Sequence, residues 1–205
     1  MERKIFTELQ KDNAQGLHNA LIKIGFRRSQ DIAYRPNCDF CTECKSVRIP
    51  VASFRPTRTQ RRIINLNSDL IIKQCPNKVT EEQYELLKEY LLTRHPDGGM
   101  ATMTYEDYRN MVECSPLESC LVEYRLPPEK NNSTPGKLIA ISLTDFTDDG
   151  LSMVYSFYDV SETCSKRSLG TYVILDHIAR ALLQNMDYVY LGYWVKDSPK
   201  MDYKN

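Results

Sequence analysis

Three stretches of the sequence combine residue types at spacings that can do chemistry. The first is Arg167-Ser168-Leu169-Gly170-Thr171-Tyr172, which opens an amphipathic helical run. A helix start there turns unpaired backbone N–H groups, and the positive end of the helix dipole, toward an anion such as phosphate. Gly170 would let a ligand approach the backbone, and Arg167 would add a charge-assisted contact. The same residues also serve as plain capping. The second stretch is Arg55-Pro56-Thr57-Arg58-Thr59-Gln60-Arg61-Arg62. Arg58, Arg61 and Arg62 stand at i, i+3 and i+4, which is one helix face. Guanidinium groups suit phosphate geometry, so an RNA backbone is a natural partner. No acidic residue interrupts Ser46 to Ser68. The other reading is a solvated charged face. The third is Cys38-Asp39-Phe40-Cys41-Thr42-Glu43-Cys44. A zinc ion or an iron–sulfur cluster takes about four ligands, so the trio needs a fourth from afar, with Cys75 as candidate. Reduced structural or redox thiols are the alternative.

The elements that must position these groups follow from periodicity. Residues 7–25 read as a helix with Leu9, Ala14, Leu17, Leu21 and Ile24 on one stripe. Val47 to Phe54 alternates as a strand, with Pro50 placing it at an edge or bulge. Residues 58–70 read as a second helix entered at Pro56-Thr57. Cys75-Pro76-Asn77-Lys78 reads as a linker. Thr80-Glu81-Glu82-Gln83 is a capping box that starts a helix running to about Arg94, and Tyr105 to Val112 forms another. Beyond Pro116 the pattern turns to strands at Cys120–Leu126, Leu138–Leu143 and Leu151–Tyr158, then a helix at Leu169–Gln184 and a strand at Tyr188–Tyr193. Tyr155, Phe157, Tyr158, Tyr188, Tyr190, Tyr193 and Trp194 fall on neighbouring strands, where they pack or stack on a nucleotide base. His95 and His177 lack a Ser or Cys partner in a nucleophile elbow. His177 therefore reads as a helix residue without catalytic meaning.

Composition bounds the class. A length of 205 residues, 41% hydrophobic and 26% charged, fits one good core or a larger domain with a small companion. No run approaches 18 uncharged apolar residues, and the charged N-terminus is no signal peptide, so the expected location is the cytoplasm. Seven Cys in such a chain argue against a disulfide framework. Net charge is zero, yet up to Lys73 there are 14 Lys and Arg against 7 Asp and Glu, and the remainder is acidic by the same margin. A basic first third either meets a local anionic partner or docks on the acidic remainder.

The Arg167–Tyr172 pattern resembles the anion loop of the GNAT acyltransferases, departing where Tyr172 replaces a small residue. Across the chain, five stretches resemble the N-end-rule aminoacyl-tRNA–protein transferases, nearest to the bacterial aspartate/glutamate leucyltransferases. They are Tyr34-Arg35-Pro36-Asn37-Cys38 through Arg61-Arg62, Leu151-Ser152-Met153-Val154-Tyr155-Ser156-Phe157, Arg167–Tyr172, Tyr188–Trp194 and Lys200-Met201-Asp202-Tyr203-Lys204. The resemblance implies an α+β chain: a basic, Cys-rich N-terminal domain over 1–73, then a GNAT-like acyl-CoA N-acyltransferase fold over 79–205 with a mainly antiparallel sheet. It implies leucyl-tRNA as co-substrate, acceptor proteins with N-terminal Asp or Glu, marking for degradation, and no further cofactor. Membranes and DNA are not expected partners. Ser168, Gly170 and Thr171 would hold the terminal nucleotide, and Arg58, Arg61 and Arg62 the tRNA. Arg48, Arg167 and Lys200 would hold the acceptor carboxylate. Asp145, Tyr155 and Tyr158 would bind the amine or shuttle its proton. Family members extend further at both ends, which implies a shortened sequence here and weakens metal binding at Cys38, Cys41 and Cys44. The competing readings are arginyl transfer within the family, a coenzyme A-dependent N-acetyltransferase, and an inactive RNA- or metal-binding fragment.

Overall fold

The structure is a computed structural model and describes residues 3–129 and 135–196. A small antiparallel sheet forms from β1 (Lys4–Glu8), β2 (Arg27–Ser29) and β3 (Ile32–Pro36), in the order β1-β3-β2, with α1 (Ala14–Lys23) between β1 and β2. The expected helix over 7–25 is corrected: its N-terminal part is strand and a short 3-10 turn, and only Ala14 onward is helical. The buried stripe is Ala14, His18 and Ile22, whereas Ile24 is exposed. Gly25 ends the helix at φ +93, and the amides of Gly25 and Phe26 bond Ile22 and Leu21 carbonyls, a Schellman closure that a side chain would strain.

A six-stranded sheet carries the rest, in the order β4-β9-β8-β7-β6-β5. Its strands are β4 (Lys45–Pro50), β5 (Ile71–Cys75), β6 (Ser119–Arg125), β7 (Leu138–Phe146), β8 (Gly150–Tyr158) and β9 (Tyr188–Trp194). Every neighbouring pair is antiparallel except β8 with β9. The expected C-terminal order of three strands, a helix and a strand is present as β6-β7-β8-α6-β9, with α6 at Leu169–Leu183 preceded by a one-turn helix, α5 (Glu162–Ser165). β4 and β5, both before the linker at Pro76, form the two edges of this sheet. Pro50 ends the edge strand β4, where its missing N–H costs no ladder bond.

Helices cover both faces. Helix α2 (Arg58–Leu66) packs with α6 on one face through Ile63, Leu169, Tyr172, Val173 and Ile174. Helices α3 (Glu81–Arg94) and α4 (Tyr105–Glu113) cover part of the other with Leu86, Leu87, Leu91, Tyr108 and Val112. Each fully buried Leu or Ile in these layers contributes roughly 1.5–3 kcal/mol of apolar burial. Capping boxes start all three of α2, α3 and α4, at Thr57, Thr80 and Thr104. Helix α2 stops at Leu66 rather than residue 70, because the buried Asn67 amide donates back to the Ile63 carbonyl and out to the Arg167 carbonyl.

The small sheet docks on the remaining face near β7, β8 and β9. Arg27 and Arg28 are buried there. Arg28 forms a forked pair with Asp145 at 2.6 and 2.7 Å, and Arg27 donates to the Val47 and Gly192 carbonyls. Tyr193 donates to the carbonyls of Gly25 and Tyr34.

Candidate active site

The parallel register of β8 with β9 covers only Gly150↔Tyr188, Leu151↔Val189 and Ser152↔Tyr190. Beyond it β8 stays paired with β7 as far as Ala140↔Tyr158, with an irregularity at Leu143/Thr144 that leaves Val154 unopposed. The strands therefore splay, and a wedge opens in the middle of the sheet. It is a pocket of about 270 Å³ whose lining includes Tyr90 and His95 from the end of α3, Val154, Tyr155 and Ser156 from β8, and Ile174 from α6. A second pocket of about 280 Å³ adjoins it, lined by Arg94, Ser168 and Thr171 among others, and both share Tyr158 and Gly170.

The start of α6 forms the floor between the two pockets. Ser168 caps it in a left-handed conformation, φ 52 and ψ 47, and its side chain makes no capping bond. The first-turn amides are left to a ligand, and no acidic residue stands in that turn to compete. Gly170 is required by Tyr158: a Cβ there would sit 3.1 Å from Tyr158 Cε1 and 3.2 Å from its hydroxyl oxygen. The ring thus lies against the helix start, with Tyr90 edge-on to it at 5.1 Å and His95 beyond at 5.6 Å from Tyr90. Tyr172, whose bulk looked incompatible with an anion loop, is buried against Tyr124 with ring centroids 6.0 Å apart, and does not fill the loop.

The structure brings Tyr155, Tyr158, Ser168, Gly170 and Thr171 to these adjoining pockets. Arg167 sits beside them but is forked onto Asp69 at 2.8 Å on each nitrogen, and its bond holds the Asp69 carboxyl below the usual carboxylate range. That fork, with Asn67, ties the end of α2 to the start of α6. Arg58, Arg61 and Arg62 are exposed on the N-terminal half of α2, whose opposite end is the one tied to the start of α6. Arg48 is not brought to the wedge. Its guanidinium lies 3.8 Å from the Tyr188 ring centroid, donates to the Tyr190 hydroxyl, and borders a separate depression with Ile24 and Gly25. Asp145 is not in the wedge either, being fully buried against Arg28. Lys200 lies outside the described residues.

Cys38, Cys41 and Cys44 border one shallow pocket and are not joined in disulfides. Cys75 as fourth ligand is corrected: it lies on β5, the sheet edge opposite β4, roughly 24 Å away at about 4.8 Å per strand. Among the described residues no three His, Cys, Asp or Glu groups converge as an ion requires.

Sequence reasoning missed Tyr90, His95 and Ser156 as lining residues, and it placed His177 on a helix without foreseeing its buried partners. The imidazole is fully buried and hydrogen-bonded through both nitrogens, to the Val173 carbonyl and the Thr144 hydroxyl, each at 2.8 Å. The available signal was Ser142 and Thr144, two hydroxyls on one face of a strand otherwise built for the core.

Comparisons with known proteins place the chain among relatives. The family model described as "Arginine-tRNA-protein transferase, N terminus" matches residues 1–62, and that for the C terminus matches residues 82–205. The aspartate/glutamate leucyltransferase of Bradyrhizobium sp. (strain BTAi1) is 54% identical over 206 residues, covering 100% of this chain and 79% of the relative. That of Sphingopyxis alaskensis is 49% identical over 203 residues, covering 99% and 78%. Among solved structures, FemX superposes with a TM-score of 0.55 at 11% identity, over 97% of this chain and 65% of that one. L-PGS from Bacillus licheniformis gives 0.50 at 9% identity, over 92% and 52%. These last two likenesses show the fold, a GNAT-like one. The chain belongs to the arginine-tRNA-protein transferase family.

Proposed function

We propose that the chain transfers leucine from leucyl-tRNA to the N-terminal Asp or Glu of acceptor proteins, marking them for degradation. The observation that carries this reading is the wedge between β8 and β9, with the open start of α6 at its mouth and the end of the arginine-bearing helix α2 tied to that start. An aminoacyl ester is already activated, so the protein has to position it and stabilise charge rather than spend a nucleotide. The backbone amides near Ser168, Gly170 and Thr171 take the terminal phosphate of the tRNA, and the Tyr158 ring offers a face to its last base. Arg58, Arg61 and Arg62 follow the phosphate backbone away from the pocket. Arg167 serves by holding α2 against the helix start, with its charge committed to Asp69.

The choice of leucine over arginine is supported by the lining. Met153, Val154, Ile174 and Leu191 are apolar, and among the described residues no Asp or Glu borders the wedge. A leucine side chain is matched there, whereas a guanidinium would be desolvated without a partner. Tyr155 and Tyr158 are among the side chains that can meet the acceptor amine or the developing oxyanion. Lys200 remains the candidate for the acceptor carboxylate. The test is incubation with labelled leucyl-tRNA, arginyl-tRNA or acetyl coenzyme A and a peptide beginning with Asp. Label should pass from leucyl-tRNA alone. Transfer from acetyl coenzyme A, or from none of the three, would overturn the reading.

A further inference from the structure

A chain of buried hydroxyls runs from the wedge to His177. Ser156 on β8 is 3.2 Å from Ser142 on β7, Ser142 is 3.2 Å from Thr144, and Thr144 is 2.8 Å from His177 Nε2. Ser142, Thr144 and His177 are fully buried, whereas Ser156 borders the wedge. The proton positions follow from one end. His177 Nδ1 lies 2.8 Å from the Val173 carbonyl, which can only accept. Nδ1 therefore carries hydrogen, and Nε2 of the neutral ring is left with its lone pair. Burial favours that neutral form by pushing the His177 pKa down. Thr144 must then donate to Nε2, Ser142 to Thr144, and Ser156 to Ser142. Tyr124, near Nδ1, donates instead to Asp176 at 2.7 Å and so leaves the pattern intact.

The consequence lies at the open end. The Ser156 proton is held inward, so Ser156 turns oxygen lone pairs to the wedge. A phosphate or carboxylate would be repelled there, and an N–H would be received. Anions are thus directed to the start of α6 and amines to Ser156, on two sides of Tyr158. We propose that Ser156 accepts a hydrogen bond from the attacking α-amine of the acceptor protein, and that Ser142, Thr144 and His177 are positioning residues that fix the direction of its hydroxyl. This rests on the amine-to-ester reading above. An amine held by one N–H keeps its nitrogen lone pair available to the ester carbonyl, which is the orientation the transfer needs.

The experiment compares wild type with Ser156→Ala, Thr144→Val and Thr144→Ser. It measures the KM for an Asp-initiated peptide at saturating leucyl-tRNA, the Kd for leucyl-tRNA and for deacylated tRNA, and thermal unfolding. Losing one neutral hydrogen bond corresponds to a rise of about three- to tenfold in peptide KM for Ser156→Ala, with both tRNA affinities unchanged. Thr144→Val frees Ser142 and lets the Ser156 proton turn outward, so it should raise peptide KM similarly, whereas Thr144→Ser keeps the donor and wild-type KM. An unchanged peptide KM in an active Ser156→Ala enzyme overturns the proposal. So does a loss confined to leucyl-tRNA over deacylated tRNA, which would assign Ser156 to the donor's amine. If Thr144→Val fails to fold, the Ser156→Ala arm still decides. A wild-type protein that transfers no leucine would instead defeat the underlying reading.

Discussion

Replacing Asp145 separates support from catalysis. Its carboxylate takes two bonds from Arg28, at 2.6 and 2.7 Å, and both side chains are within 1% of complete burial. Asp145→Asn keeps the shape and removes the charge, leaving the Arg28 guanidinium uncompensated inside the interface between the small sheet and β7. Removing one partner of a buried pair costs about 3–5 kcal/mol. For a chain of this size, about 2–4 °C of melting temperature is lost per kcal/mol, so the expected drop is roughly 6–20 °C. The double change Arg28→Met with Asp145→Leu removes both charges and should recover much of the loss. Thermal or urea unfolding measures this, and leucyl transfer assayed well below the new midpoint should retain most of its kcat. A variant as stable as wild type that nevertheless loses transfer by more than about a hundredfold would refute the reasoning and restore Asp145 to the chemistry.

Three further outcomes are expected. His18 and His177 are buried and their pKa values lie below the ordinary 6.5, burial being the largest cause for each. Both are neutral in the fold while the unfolded chain takes up protons near 6.5, so their stabilisation is whole above that pH and is lost as pH falls below it; urea midpoints measured from pH 8 to 5 should decline, and a flat profile would contradict this. Arg61→Glu with Arg62→Glu should weaken tRNA binding and flatten its salt dependence by about 0.7–0.9 in logarithmic slope for each phosphate that is no longer neutralised; equal slopes would remove α2 from the tRNA path. Asp69→Asn should weaken tRNA binding as much as Arg167→Ala does, while the preference for acidic over amide N-termini stays unchanged in both. A loss of that preference with Arg167→Ala alone would return Arg167 to the acceptor site.

The sequence was most readable where local rules decide. Thr80 and Gln83 announced α3, and the apolar runs of β6, β7 and β8 needed only their spacing. Strands β1, β2 and β3 were illegible because their pairing is long-range: Lys4 finds Pro36 across the whole of α1. Strand β5 offered no alternation to read, because Ile71, Lys73 and Gln74 are all exposed at the sheet edge. The same limit governs the site. Arg167, Ser168, Gly170 and Thr171 were visible as a contiguous motif, yet only the fold reveals that Asp69 claims Arg167. Ser156 matters through Ser142, Thr144 and His177, which come from two further elements, and nothing in their spacing predicts that they touch.

The strand order has a consequence for how the protein is made. Strand β9 lies between β4 and β8, so β4 has no neighbour in the large sheet until Tyr188–Trp194 arrives. Roughly 140 residues separate Pro50 from Tyr188, which is roughly 7–28 s of synthesis at about 5–20 residues per second. For that interval Lys45–Pro50 is a bare strand carrying Val47 and Ile49, open to pairing with another nascent chain. Its charges, Lys45 and Arg48, and the terminal Pro50 make it a poor template for such pairing. The waiting edge is thus guarded by its own residues during translation, and β9 is the strand whose arrival both closes the sheet and creates the pocket.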